Sequence, residues 1–228
     1  MTDKLSNILW LSNIEIANEC LSHAFVKGLA DGTLDESSFK IYIAQDAFFL
    51  RAFRSAYALA IAKCDNLQNA KKFHTLMGGV LEELNLHFSY SKRLGIDLEN
   101  VKPLPACRSY TDFLLRVAWQ SDVSEIVSAI APCMILYAFL GRELAKTKYS
   151  KKYEEWIKTY SSKGMQDLSK EMEDLLDSVA KETAIIREDS SIKLLNNLKI
   201  KTNLYRSVDS CFAFTTKSRI LDFLIVLR

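Results

Sequence analysis

Glycine and proline are scarce in this chain, at seven and three in 228 residues. Average usage would place about sixteen and eleven there. So few breakers disfavour a turn-rich β architecture and favour long helices. Histidine is equally rare, at three (His23, His74, His87). No Glu-x-x-His motif occurs, so a histidine-rich di-iron centre lacks its ligands, and no metal or other cofactor is expected. The five cysteines are odd in number and none forms a C-x-x-C pair. That argues against a zinc ribbon or a disulfide framework, and points to reduced thiols in a cytoplasmic setting. Neither charge dominates, with 30 basic against 28 acidic residues. A broad nucleic-acid footprint needs a concentrated basic surface, so no nucleic-acid partner is expected. Phosphate-binding glycine loops and the G-x-S-x-G elbow are both missing. Met1 to Lys4 do not open a secretory signal. No run of about 18 uncharged apolar residues is found, so no membrane helix is expected.

What the chain does have is apolar content, at 49%, enough to bury a sizeable core without staples. The periodicity predicts an all-α chain of about eight helices. They fall at about 2–22, 35–63, 67–94, 108–120, 123–146, 151–160, 165–184 and 191–208. A turn is expected at Gly28–Thr33, and a loop at Lys102–Pro105, where proline disfavours helix. Asp35, Ser37 or Ser38 is positioned to cap the second helix. The stretch 220–227 is β-branched and ambiguous. Short connections suit a bundle of antiparallel neighbours. The chain reads as one domain over 1–228. Its last part is basic, with seven Lys or Arg against two Asp from Ser190 to Arg228.

Two polar side chains interrupt apolar helix faces. Asp46 follows Tyr42 by four residues and precedes Phe49 and Leu50 by three and four, so a carboxylate sits within an aromatic stripe. A buried carboxylate demands a partner. It is either a functional acid or a structural aspartate bonded to a helix end or a tyrosine. Cys133 shares a face with Ile126, Ile130, Tyr137 and Gly141, next to Pro132. It is either a reactive thiol facing a cavity or a small buried hydrophobe. Tyr110, Tyr137 and Tyr160 can line a flat ligand or simply pack. Glu83 and His87, four apart, suggest a metal pair only weakly. A helix-surface pair or structural hydrogen bond is the expected reading.

Several ordered segments resemble the TenA family, also called thiaminase II or aminopyrimidine aminohydrolase. They are His23–Leu34, Tyr42–Asp46, Tyr110–Leu114, Ala131–Gly141 and Trp156–Ser162. The Gln45-Asp46 and Pro132-Cys133 segments look closest to the TenA half of plant two-domain thiamine-salvage enzymes. The resemblance implies a haem-oxygenase-like helical bundle without haem, usually a cytosolic homotetramer. Its expected reaction is hydrolysis of 4-amino-5-aminomethyl-2-methylpyrimidine to the hydroxymethyl product, and in many members cleavage of thiamine. By the same resemblance, Cys133 is the nucleophile and Asp46 anchors the pyrimidine and helps activate the thiol. Tyr137 and Tyr160 contact substrate, and Tyr110 and Phe49 stack on its ring. Phe49 stands where many bacterial members have tyrosine. The family's last helix carries a glutamate that shuttles the leaving-group proton. The matching stretch here, Leu198 to Asp209, places no acid at that register, and the segment from about 186 to 228 diverges. A proton donor is therefore unassigned, and a non-catalytic or impaired aminopyrimidine-binding protein is the alternative expectation.

Overall fold

The computed structural model describes residues 4–189. Among these, nine α-helices account for the fold, with no strand. Three short helices lead: α1 (Leu5–Ser12), α2 (Ile14–Ser22) and α3 (Ala24–Asp31). Two long ones follow, α4 (Glu36–Lys63) and α5 (Leu67–Leu94). Then come α6 (Pro105–Gln120), α7 (Val123–Ala145), a 3-10 turn (Lys151–Tyr153), α8 (Glu154–Ser161) and α9 (Lys163–Asp189). The expected helix at 191–208 and the ambiguous stretch at 220–227 lie outside the described residues.

The long helices start where local chemistry says they should. Asp35 accepts a hydrogen bond from the Ser38 amide at 2.8 Å and caps α4. Asn66 caps α5, and Asp122 caps α7 through the Glu125 amide. Each cap satisfies an amide that the helix itself leaves unpaired. Gly95 ends α5 in the left-handed conformation, at φ 68°.

Three expected boundaries need correction. The first helix is two, broken at Asn13, whose side-chain amide donates to the Leu9 carbonyl at 2.8 Å. Local bonding of this kind competes with helix continuation. The turn expected over Gly28–Thr33 is mostly helix α3. Gly28 serves close packing there, because a Cβ on it would press on Leu34; only Gly32 adopts positive φ. The helix expected from Arg108 begins earlier, with Pro105 in its first turn, where proline is preorganised and its missing amide is harmless.

α4 packs between α5 and α6, and α7 packs against α4, α6, α8 and α9. α7 is long and apolar enough to cross a membrane by length and composition, and 83% of that window is buried inside the protein. Its apolarity serves the core, and the helix continues through Pro132. Gly141 on α7 faces the Tyr160 backbone of α8 so closely that a Cβ would overlap it. That close approach holds Tyr160 against α7.

Candidate active site

Asp46 projects from α4 and is 4% exposed. Its Oδ2 lies 3.0 Å from Nε2 of His87 on α5. The other ring nitrogen, Nδ1, is 2.8 Å from the Glu83 carbonyl oxygen. A carbonyl only accepts, so Nδ1 carries hydrogen. Nε2 faces a carboxylate, so the arrangement suits an imidazolium that donates twice. Burial works against that charge, but the hydrogen bond and negative charge of Asp46, joined by Glu83, outweigh it and hold the His87 pKa above its usual value. Neither nitrogen is left for a metal. Among the described residues no cluster of three or more His, Cys, Asp or Glu could hold a metal ion.

Glu83, one turn before His87, receives a short hydrogen bond from the Tyr160 hydroxyl. Tyr160 thus spends its proton on Glu83. Tyr42, 3.5 Å away, donates to Tyr160 in turn. The Trp156 indole N–H donates to Tyr42 at 3.1 Å. The donors point one way, from α8 through α4 and back to α8, and end on the Glu83 carboxyl. Burial, then the negative charge of Asp46, push Glu83 up to about 7, although His87 and Tyr160 pull the other way. A carboxyl held near neutrality is a common mark of acid–base sites.

Asp46, Glu83, Cys133, Tyr137, Phe49 and Tyr160 line one internal cavity with Met134 and Met165. Its volume is about 20 Å³, room for roughly one water. A pyrimidine enters only if side chains move, and the two methionines are the most adaptable. A second cavity of about 260 Å³ adjoins it and shares Glu83, Met134, Tyr160 and Met165. Burial, with Asp46 and Glu83 adding, raises the Cys133 thiol well above its normal range. Cys133 therefore rests as a thiol, not a thiolate. The Tyr42, Tyr137 and Tyr160 phenols are likewise pushed up by burial and stay protonated.

The structure thus brings together Asp46, Cys133, Tyr137, Tyr160 and Phe49. Tyr110 stands one layer back. It is absent from the cavity lining and packs on Phe49 with ring centroids 4.9 Å apart. Of the two readings offered for Glu83 and His87, the structural hydrogen bond holds and the surface pair does not: His87 bonds the Glu83 carbonyl and Asp46 of α4, and Glu83 takes the Tyr160 hydroxyl of α8. The available signal was their place on the α5 face that also buries Phe73, Leu76, Val80 and Leu84. Gln45, next to Asp46, points the other way. It donates to the Lys102 carbonyl at 3.1 Å and accepts from the Leu104 amide at 2.7 Å, pinning the loop before α6.

An all-α bundle with a buried carboxylate, a thiol and tyrosines around one cavity defines a class of small-molecule site rather than a macromolecular surface. The TENA/THI-4/PQQC family model matches residues 12–197. The chain belongs to this family. It is 33% identical over 167 residues to the aminopyrimidine aminohydrolase of Halalkalibacterium halodurans, covering 70% of this chain and 75% of that one. It is 29% identical over 209 residues to the Helicobacter pylori protein of the same name, covering 89% and 94%. The mitochondrial bifunctional TH2 protein of Arabidopsis thaliana is 32% identical over 204 residues, 78% of this chain and 33% of that one. A TenA homologue from Pyrococcus furiosus superposes with a TM-score of 0.83 at 21% identity, covering 98% of this chain and all of that one. This last likeness shows the fold alone.

Proposed function

We propose that this chain hydrolyses 4-amino-5-aminomethyl-2-methylpyrimidine to the 5-hydroxymethyl product and ammonia, with Cys133 as nucleophile. The observation that carries the reading is the convergence of Asp46 from α4 and Cys133 from α7 on one buried cavity. Relatives named aminopyrimidine aminohydrolase support the substrate class.

The chemistry follows from the residues. Asp46 accepts hydrogen bonds from the substrate's amino group and a protonated ring nitrogen, with His87 as its counter-charge. The protonated ring is electron-poor, and the Asp46 carboxylate stabilises that form. The Cys133 sulfur then bonds to a ring carbon beside the substituted one, and its proton moves to the adjacent ring nitrogen. The dearomatised ring pushes out the exocyclic amine. Water adds at the methylene carbon, the C–S bond breaks, the ring regains aromaticity and the thiol its proton. The raised thiol pKa means activation waits for substrate, which keeps the resting cysteine protected from oxidation. Tyr137, Tyr160 and Phe49 enclose the ring, and Tyr110 supports Phe49.

The larger cavity of about 260 Å³ has room for a leaving group larger than ammonia, so thiamine is the second substrate to test. The competing reading is binding without turnover, favoured by the protonated resting thiol. One assay separates them. Ammonia release from the aminomethyl substrate is followed for wild type and Cys133→Ala. Turnover that disappears in the variant, with product binding kept, supports the proposal. Turnover that survives the substitution removes Cys133 as nucleophile, and product binding without wild-type turnover favours the binding protein.

A further inference from the structure

We propose that Glu83 is the proton carrier of this site, giving a proton to the departing amine and taking one from the incoming water. The inference rests on the aminopyrimidine hydrolase reading above and assigns it a residue for proton transfer.

Three geometric observations support it. Glu83 lines the inner cavity with Asp46 and Cys133, so its carboxyl is in reach of whatever occupies that space. It also lines the second, larger cavity, so its carboxyl borders two adjoining spaces. Third, the hydrogen-bond chain from Trp156 through Tyr42 and Tyr160 ends on it. A chain of neutral donors stabilises a carboxylate without neutralising it, which lets the group alternate between its two states. The roles of the site's two carboxylates then separate by environment. Asp46 faces Nε2 of His87 across 3.0 Å, a pairing that holds the imidazole's pKa up, and serves as the fixed anchor. Glu83 takes a hydrogen bond on its carboxyl from the neutral Tyr160 hydroxyl and is the group that cycles.

The step balances. The exocyclic C–N bond breaks with its electron pair on nitrogen, which takes the proton held by Glu83 and leaves as ammonia. A water oxygen then bonds to the exocyclic carbon, one of its hydrogens goes to the Glu83 carboxylate, and the other remains on the product hydroxyl. One water is consumed, one ammonia released, and Glu83 returns to its starting state.

The test is the pH dependence of ammonia release in wild type, Glu83→Gln and Tyr160→Phe, with binding of the hydroxymethyl product measured in parallel. Titratable groups facing Glu83 are Asp46, Tyr42 and Tyr57 from α4, His87 on its own helix, Cys133 and Tyr137 from α7, and Tyr160 from α8. Wild-type kcat is expected to fall above neutrality as the carboxyl loses its proton. Glu83→Gln is expected to lower kcat by about 10²–10⁴-fold with product binding kept, and to abolish that limb. Tyr160→Phe removes a donor that favours the carboxylate, so its limb moves to higher pH. This shift reads the role of Glu83 even if Glu83→Gln does not fold. A variant as fast as wild type, a loss that appears wholly as weaker binding, or a limb that persists in Glu83→Gln overturns the proposal. Each leaves the Asp46 and Cys133 reading standing. A wild-type chain that neither releases ammonia nor binds the product overturns that reading, and this inference with it.

Discussion

A carboxyl kept near neutrality by burial is held there at the expense of stability, and Glu83→Gln measures how much. The substitution preserves shape, and its amide oxygen still accepts from Tyr160. It removes only the negative charge. Glu83 is raised from 4.5 to about 7 by burial and by Asp46. A raised folded-state value adds stability below the unfolded value, and that stability is lost as pH rises through the folded value. At about pH 5.5 the unfolded carboxyl is mostly ionised while the folded one keeps its proton, a penalty of roughly 1 kcal/mol. At about pH 8.5 both are ionised, and the penalty approaches roughly 3 kcal/mol, an upper figure because the site relaxes. The stability difference, variant minus wild type, should therefore grow by about 2 kcal/mol between the two pH values. In thermal melts that is about 4–8 °C of extra Tm for the variant at the higher pH. Urea unfolding at both pH values gives the same quantity as a free energy. A difference that is flat with pH, or a variant less stable than wild type at high pH, would refute the account of Glu83.

Three further outcomes follow from the same geometry. His87→Leu leaves Asp46 buried without its counter-charge and should cost about 3–5 kcal/mol, whereas adding Asp46→Leu to it should recover most of the loss; urea melts of the two variants decide this. Cys133 in the free protein should alkylate with iodoacetamide more slowly than an unfolded-chain cysteine at about pH 8, because burial and two carboxylates keep it a thiol. Peptide mapping that finds Cys133 labelled fastest would contradict that. Gly141→Ala drives a Cβ into the Tyr160 backbone. It should cost about 1–3 kcal/mol and reduce turnover together with stability; a variant with wild-type melting would show that α7 and α8 are not held by this contact.

The helices were legible before the structure because what makes a helix is local. Asp35 at the start of α4, the 3.6-residue spacing of Phe39, Tyr42, Ile43, Phe49 and Phe53, and the scarcity of breakers all act within a turn or two of themselves. Where a side chain's contact decides the outcome, the sequence was silent or misleading. Asn13 breaks the first helix by donating its side-chain amide to the Leu9 carbonyl. Gly28 looked like a turn residue, yet is a close contact for Leu34. Asp46 and Cys133 stood out as polar interruptions, but their convergence came from a family resemblance, not from spacing.

By itself, then, the sequence determined the fold class, most helices and the apolar face each one must bury. Tertiary packing alone decided which polar atoms on those faces meet. Asp46 finds His87 across 41 positions, and Tyr160 finds Glu83 across 77. Helical periodicity sets which face a residue occupies, because the backbone hydrogen bonds that create it are local. A buried carboxyl's protonation depends on its burial and on the groups around it, and Asp46 from α4 and Tyr160 from α8 supply those groups for Glu83. That is why Glu83 reads as an ordinary surface acid in the sequence and as a neutral-range acid in the fold.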